Sequence, residues 1–157
     1  MTFPAPHHDH AHCTADLIAR AERICGRRGS KLTGQRREVL SCVAESHAAA
    51  GAYDIIERMA ARGTRPAPIT VYRALDFLMG HGLIHKIESR NAFVACSHAH
   101  DGKPAALIVC AKCGTVAELD VPQAFEVVER AAVAQDFRAG RTMIEMSGTC
   151  GPCAGGR

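Results

Sequence analysis

The sequence predicts an α+β protein made of two unlike parts, and three observations support this. Residues 14–96 show four short helical patterns followed by two strand-like segments. Residues 105–157 show three strand-like segments around one helix. The second part also holds two Cys-x-x-Cys pairs, at 110–113 and 150–153, and the polar segment 97–104 separates it from the first part as a linker. We therefore expect two small domains.

Composition narrows the class of protein. The chain of 157 residues has 47% hydrophobic but only 4% aromatic residues, so its core must be mainly aliphatic. Residues 1–13 are rich in histidine and lack the apolar segment of a signal peptide, so we expect a flexible tail. No apolar run approaches the ~18 residues of a membrane span. These features predict a cytoplasmic protein without a membrane partner.

Positive charge is concentrated in the first part. Residues 1–95 carry 13 Lys and Arg against 9 Asp and Glu, whereas residues 96–157 carry 6 against 7. Seven bases and one acid fall between Arg20 and Arg37. Such a patch attracts phosphate backbones, but a solvated helix face explains it equally well.

Four helices are predicted in the first part from apolar periodicity and capping residues. Thr14, Thr33 and Thr70 are the expected N-caps of the first, second and fourth helices, and the third helix covers about 52–61. The fourth helix, about 71–79, has two distinct faces. These are a buried stripe of Val71, Ala74, Leu75 and Leu78 and an exposed set of Tyr72, Arg73 and Asp76.

A β-hairpin is predicted next, with arms at 83–88 and 92–96 and a turn centred on Arg90 and Asn91. Short helices followed by a hairpin are typical of a winged helix-turn-helix domain, whose last helix enters the major groove of DNA. The expected partner is therefore double-stranded DNA.

The second part is predicted to be a small ββαβ unit. Its strands are expected at 105–109, 115–119 and 142–146, with a helix that begins at Asp120 in an arrangement resembling a capping box with Gln123. A unit this small exposes apolar surface, so it is expected to form a homodimer. The predicted buried stripe of its helix is Val121, Phe125, Val128 and Ala132.

The two Cys-x-x-Cys pairs predict a structural zinc site. Cys110, Cys113, Cys150 and Cys153 supply the four thiolates of a closed tetrahedral site, which has no open position for catalysis. Two redox pairs or two disulfides are the alternative, which we disfavour because nothing else indicates a secreted protein.

A second metal site is predicted at the hairpin. With an even turn centred at 90–91, cross-strand partners sum to 181, so His85 faces Cys96 directly; an odd loop would put them on opposite faces. His98, His100 and Glu118 are further candidate ligands. Alternatively, Cys96 is a small buried residue and these histidines are surface residues. The neighbouring four-cysteine site makes us favour the metal.

Five stretches carry a family resemblance. They are LTGQR at 32–36, AYD at 52–54, TVYRALDFL at 70–78, GLIHK at 82–86 and CAKCG at 110–114. With them the chain resembles the ferric uptake regulator superfamily, specifically its zinc uptake regulator branch, over about residues 17–153. The resemblance implies a dimeric transcriptional repressor that binds operator DNA when its sensory metal is bound. For this branch, the regulated genes would concern zinc uptake and zinc sparing.

The resemblance also implies roles for single residues. His85, Cys96 and Glu118 match the ligands of a regulatory zinc, and the four cysteines match a structural zinc, giving two zinc ions per subunit. Tyr53 and Arg73 match residues that read bases, and Tyr72 is expected to contact the DNA backbone. The chain has Ser97-His98-Ala99-His100 where iron- and peroxide-sensing relatives have a His-His-x-His run. Either histidine could therefore be the fourth regulatory ligand, with His100 preferred, and His47 supports no third site.

The chemistry of the candidate ligands also bears on two alternative functions, iron or peroxide sensing and zinc-dependent catalysis. The Cys96 thiolate selects zinc over iron, which disfavours an iron- or peroxide-responsive regulator. A zinc-dependent hydrolase or deaminase would need an open coordination position and a motif such as H-E-x-x-H, which the sequence lacks. We therefore expect no enzymatic activity and no small-molecule substrate.

Overall fold

The computed structural model describes residues 11–63, 65–97, 105–140 and 142–155. Most of the predicted tail lies outside these ranges, and so does nearly all of the predicted linker, including His98 and His100. None of the described helices is long and apolar enough to cross a membrane.

The first part is a helical unit with a three-stranded antiparallel sheet in the order β1-β3-β2. We call the β2–β3 hairpin with its loop the wing. The predicted mixed α+β fold, with helices followed by a wing, is confirmed. The elements are α1 (Ala11–Arg27), α2 (Gly34–Val43), β1 (Ala50–Gly51), α3 (Ala52–Ala61), α4 (Pro68–Gly80), β2 (Ile84–Ile87), a 3-10 turn (Glu88–Arg90) and β3 (Ala92–Ala95).

The second part is the predicted ββαβ unit, which we call the α/β unit. Its sheet has the order β5-β4-β6, in which β4 pairs antiparallel with β5 and parallel with β6. The elements are β4 (Ala105–Cys110), β5 (Val116–Leu119), α5 (Pro122–Val133), β6 (Met143–Gly148) and α6 (Gly151–Ala154).

The predicted apolar stripes of the helical unit form its core. Leu17 and Ala21 of α1, Leu40 of α2, Ile55 of α3 and Leu75 of α4 are all at most 6% exposed and belong to one cluster. Truncating a buried leucine or isoleucine of this core to alanine costs about 2–5 kcal/mol. This core fixes how α4 is presented to solvent.

Helix starts agree with the sequence prediction only in part. Thr33 is the N-cap of α2, where its hydroxyl accepts a hydrogen bond from the Arg36 amide at 3.4 Å. Thr14, by contrast, lies inside α1, because the helix already includes Ala11. The predicted cap at Thr14 is therefore wrong.

Two further predicted caps are wrong because a proline begins the helix. Ala67 is the N-cap of α4 and Pro68 follows it, so the helix begins before Thr70. Val121 is the N-cap of α5, again followed by a proline, and the capping box predicted from Asp120 does not form. Proline suits the first helical position because its ring presets φ and its missing N–H would have no partner there.

Helix α5 does not bury its predicted stripe within one chain. Phe125 is buried, but Val128 is 46% exposed, and Val121 and Ala132 are only partly buried. Further large apolar side chains lie exposed in the α/β unit. They are Val127, Val133, Phe137 and Met146.

The two units are in direct contact. Ile87 and Val94 of the wing share a hydrophobic cluster with Leu107 and Val109 of β4 and Val116 of β5. The stretch before β1 adds backbone contacts with the turn before β5, including an antiparallel bridge between Ala48 and Thr115. The wing therefore lies against the sheet of the α/β unit.

Candidate metal centres and nucleic-acid interface

The four cysteines of the α/β unit converge as predicted. The turn between β4 and β5 holds Cys110 and Cys113, and the start of α6 holds Cys150 and Cys153. All four sulfur atoms lie within 4.8 Å of one another, and those of Cys113 and Cys150 are 3.8 Å apart. Zn–S bonds of ~2.3 Å in a tetrahedron require sulfurs about 3.8 Å apart, so the residues fit a zinc ion.

Backbone amides favour a thiolate at the first of these cysteines. The amides of Cys113 and Cys150 lower the pKa of the Cys110 thiol to about 5, and the Cys150 amide lies 3.4 Å from its sulfur. The Cys150 side chain, conversely, raises the pKa of Cys153 to about 12. Since four thiols so close cannot all ionise by themselves, a cation is what this arrangement accommodates.

The register of the wing differs from the prediction but preserves its conclusion. His85 pairs with Val94 and Ile84 with Ala95, so partners sum to 179 rather than 181. The loop between the strands is the 3-10 turn plus Asn91, whose φ is +47°, and its centre lies one residue earlier than predicted. The sum of the paired residue numbers differs from the predicted sum by two, an even number, so each residue keeps its face of the sheet. Cys96 is therefore a diagonal neighbour of His85 on the same face.

His85, Cys96 and Glu118 form a second cluster, as predicted. His85 Nε2 lies 3.4 Å from Glu118 Oε1, and Cys96 Sγ lies 4.0 Å from Glu118 Oε2. All three residues are at most 9% exposed. An imidazole, a thiolate and a carboxylate in one buried place are a mixed ligand set that suits zinc.

This second cluster joins the two units. His85 lies on β2 and Cys96 directly follows β3, whereas Glu118 lies on β5 of the α/β unit. The predicted fourth ligand, His98 or His100, falls outside the described residues. Occupancy of the three described ligands by one ion would therefore tie the wing to the α/β unit.

The predicted DNA-reading residues are exposed at the start of α3 and in the middle of α4. Tyr53 lies in the first turn of α3 and is 67% exposed. Tyr72 is 40% exposed on α4, and the neighbouring Arg73 is exposed as well. These side chains are free to reach DNA, since the opposite side of α4 packs into the core.

The sequence matches a known protein family over most of its length. The profile of the Ferric uptake regulator family matches residues 27–147. This chain belongs to that family.

Relatives within the family agree with the zinc uptake regulator branch. The chain is 37% identical to the zinc uptake regulation protein of Escherichia coli (strain K12) over 142 residues, which cover 89% of this chain and 82% of that protein. A solved zinc uptake regulator in complex with zinc and DNA is 36% identical, with a TM-score of 0.84, over 90% of this chain and 95% of that one.

A third relative was solved in two forms. Holo XcZur is 35% identical, with a TM-score of 0.82, over 89% of this chain and 98% of that one. Apo XcZur is similar at a TM-score of only 0.51, with 36% identity over 90% of this chain and 97% of that one. The present fold is therefore much more similar to the holo form.

Four of the seven basic side chains in the segment from Arg20 to Arg37 make contacts within the chain. Arg37 pairs with Glu22, and the side chains of Arg20, Arg28 and Arg36 donate to backbone carbonyls. Among the described residues Arg27, at the end of α1, makes no ion pair and is exposed. The segment is thus partly structural and offers fewer free charges than its composition indicates.

Sequence reasoning missed residues that orient the candidate ligands. The Ser97 amide donates to Glu118 Oε1 at 2.8 Å, and the Arg20 guanidinium donates to the Cys96 carbonyl. Such contacts hold ligands in place. The sequence analysis also did not single out Ile69 of α4, which is 58% exposed and lies off the buried stripe of that helix.

Proposed function

We propose that this protein is a zinc-responsive transcriptional repressor that binds operator DNA of zinc-uptake genes when zinc is bound and releases it when zinc is scarce. The observation that carries this proposal is the buried cluster of His85, Cys96 and Glu118, which joins the wing to the α/β unit. The similarity to a zinc uptake regulator in complex with zinc and DNA supports it. Such a repressor would act in the cytoplasm, where its operator lies.

In this proposal the ligands act by joining two units. A bound zinc would bond to all three side chains at once and so strengthen the direct contacts of Glu118 with His85 (3.4 Å) and with Cys96 (4.0 Å). His85 and Cys96 fix the wing, and Glu118 fixes the sheet. Bound zinc would thereby restrict movement of the wing relative to the α/β unit.

We propose two zinc ions per subunit, one in each cluster. The four-cysteine cluster is closed and would hold its ion permanently, whereas the mixed cluster would exchange its ion as zinc supply changes. The Cys96 thiolate favours zinc over iron at the regulatory position, and a fourth ligand from His98 or His100 would leave no open position for catalysis.

The proposed repressor would be a homodimer that forms through the α/β unit. Val127, Val128 and Val133 of α5 are 46–70% exposed in one chain, which is unusual for apolar side chains this close together. A second copy of the chain would cover them and would present two α4 helices to two half-sites of DNA.

DNA recognition is proposed to rest on the start of α3 and the exposed face of α4. Arg73 can read a guanine, since its guanidinium can donate two hydrogen bonds to that base. Tyr53 is proposed to contact a base and Tyr72 the DNA backbone.

The function is tested by a mobility-shift experiment on a duplex selected from a random library by the zinc-loaded protein. We expect binding with zinc, loss of binding with a chelator, and recovery on adding zinc but not ferrous iron. Recovery with iron alone would favour an iron-responsive regulator. A protein that shows no zinc-dependent shift with any duplex is not such a repressor.

Recognition is tested by comparing two arginines. Arg73→Ala should lower affinity for the selected duplex by about 1–3 kcal/mol while affinity for unrelated DNA changes little, because a base contact is lost. Arg27→Ala should weaken binding to all duplexes alike and flatten the salt dependence, as expected for a phosphate contact. Full sequence preference in Arg73→Ala would show that α4 does not read bases through this residue.

A further inference from the structure

The tip of the wing is held by β6 of the α/β unit. The carboxylate of Glu145 accepts hydrogen bonds from the Glu88 amide at 2.9 Å, the Ser89 amide at 3.5 Å and the Ser89 hydroxyl. These partners are 56 or 57 residues apart in sequence. Three donors on one carboxylate are a directed contact rather than a chance approach of two surfaces.

The same loop also contacts the turn that carries the first cysteine pair. Arg90 Nη2 donates to the Cys110 carbonyl at 3.2 Å and to the Ala111 carbonyl at 3.0 Å. Gly114, with φ +75°, also lies close to the guanidinium, since a Cβ added there would be 3.4 Å from Arg90 Nη1. Arg90 is thus hydrogen-bonded to the backbone of the turn that carries the first cysteine pair.

None of these contacts includes a ligand side chain of the second cluster. Ile87, which shares a hydrophobic cluster with residues of the α/β sheet, lies between the loop and His85 along β2, and Val94 of the same cluster pairs with His85. The wing is therefore held at two places: at its base by His85, Cys96 and Glu118, and at its tip by Arg90 and Glu145.

We propose that Arg90 and Glu145 are positioning residues that hold the wing tip against the α/β unit, so that the four-cysteine turn also helps to set the DNA-binding arrangement. This inference rests on the proposed function. We call the contacts of residues 88–90 with Glu145 and with the first cysteine turn the tip contact.

The tip contact and the regulatory ligands stabilise the same arrangement of the two units. Two interactions that stabilise one conformation also stabilise each other. Loss of the tip contact therefore weakens zinc binding by His85, Cys96 and Glu118, and loss of that zinc weakens the tip contact by the same factor. The apparent affinity for zinc at His85, Cys96 and Glu118 falls with the fraction of molecules in the closed arrangement. Glu145 then controls a zinc affinity although it is not a ligand of that zinc.

The test measures zinc affinity of the regulatory cluster by competition with a chromophoric chelator, in the full chain with its four-cysteine zinc in place. Glu145→Ala should weaken this affinity about 5- to 20-fold, within the usual range of coupling. Glu145→Gln, which keeps one acceptor oxygen, should give a smaller loss. Arg90→Ala should act in the same direction, and Arg90→Lys should recover little because lysine lacks the planar fork.

Glu126→Ala is the matched control. Glu126 is an exposed carboxylate on α5 that makes no ion pair among the described residues, so its removal changes net charge equally. Zinc content at the four cysteines and the thermal midpoint should stay close to the parent value in Glu145→Gln, which separates positioning from misfolding.

Unchanged regulatory zinc affinity in both Glu145→Ala and Arg90→Ala would overturn the inference. So would an equal loss in Glu126→Ala. If the parent protein binds no duplex in a zinc-dependent way, the proposed repressor function fails, while the comparison of zinc affinities still decides whether the tip contact is coupled to the cluster.

Discussion

The two cysteine-containing clusters differ in what they connect. Cys110, Cys113, Cys150 and Cys153 all belong to the α/β unit, at the ends of two strands that already pair along their length. His85, Cys96 and Glu118 instead come from both units. A ligand set within one unit stabilises the fold of that unit, whereas a set shared by two units controls their relative position. Location, as much as ligand chemistry, separates a structural ion from a regulatory one.

The largest effect is expected from the cluster inside one unit. Cys110→Ser leaves three thiolates, and the binding free energy of a structural zinc, about 10–16 kcal/mol, is comparable to or larger than the total stability of a domain. We expect the α/β unit to unfold, with loss of dimer and of helical signal, as measured by circular dichroism and sedimentation.

A buried thiol outside both clusters gives the control for this experiment. Cys42→Ala in α2 should lower the unfolding free energy modestly and leave the zinc content unchanged. A zinc-free Cys110→Ser protein that remains a folded dimer would mean that the closed cluster is not needed for folding.

An intermediate effect is expected from the cluster between the units. Cys96→Ser replaces a thiolate by a poor ligand of similar volume, so folding and the four-cysteine zinc should survive. We expect one zinc per subunit and operator binding weakened at least ~10-fold, because fewer molecules adopt the competent arrangement. His85→Ala and Glu118→Ala should act in the same direction.

Metal analysis together with DNA titration checks this prediction. A Cys96→Ser protein that still binds its operator tightly and only with zinc would remove the distinction between the two clusters. Retention of two zinc ions per subunit would show that the thiolate is not a ligand.

The smallest effect is expected from the predicted tail, whose residues 1–10 lie outside the described ranges. Removing residues 1–10 deletes three histidines but none of the buried stripe of α1, whose first core residue is Leu17. Operator affinity and zinc content should stay within about a factor of two of the parent protein, an effect of at most ~0.5 kcal/mol, because the described core and candidate ligands are all retained. A large shift of the zinc-response midpoint would show that the tail contributes ligands.

Local patterns in the sequence were sufficient for the elements and for the four-cysteine cluster. The apolar stripe from Val71 to Leu78 and the two Cys-x-x-Cys pairs depend on neighbours a few residues apart, which periodicity and spacing describe well. Helix starts were less predictable, because Pro68 and Pro122 serve as first helical residues where a threonine or an aspartate also looked suitable.

Features that depend on partners far apart in the sequence could not be predicted from local patterns. The wing register required knowledge that residues 88–90 form a 3-10 turn, which moves the loop centre. The tip contact joins Arg90 and Glu145 to elements far along the chain, and neither residue stands out by type or spacing. Strand β1 has only two residues, too few for a periodic signal.

The parallel pairing of β4 with β6 has a consequence for the order of folding. The partners Ala105 and Met143 are 38 residues apart, so their pairing must overcome the entropy of closing a long loop. Helices α1 to α4 need only local hydrogen bonds and nearby packing, which form faster. We therefore expect the helical core to form first and the sheet later, so that Cys150 and Cys153 reach the first cysteine pair only in a late step, when metal capture makes that step hard to reverse.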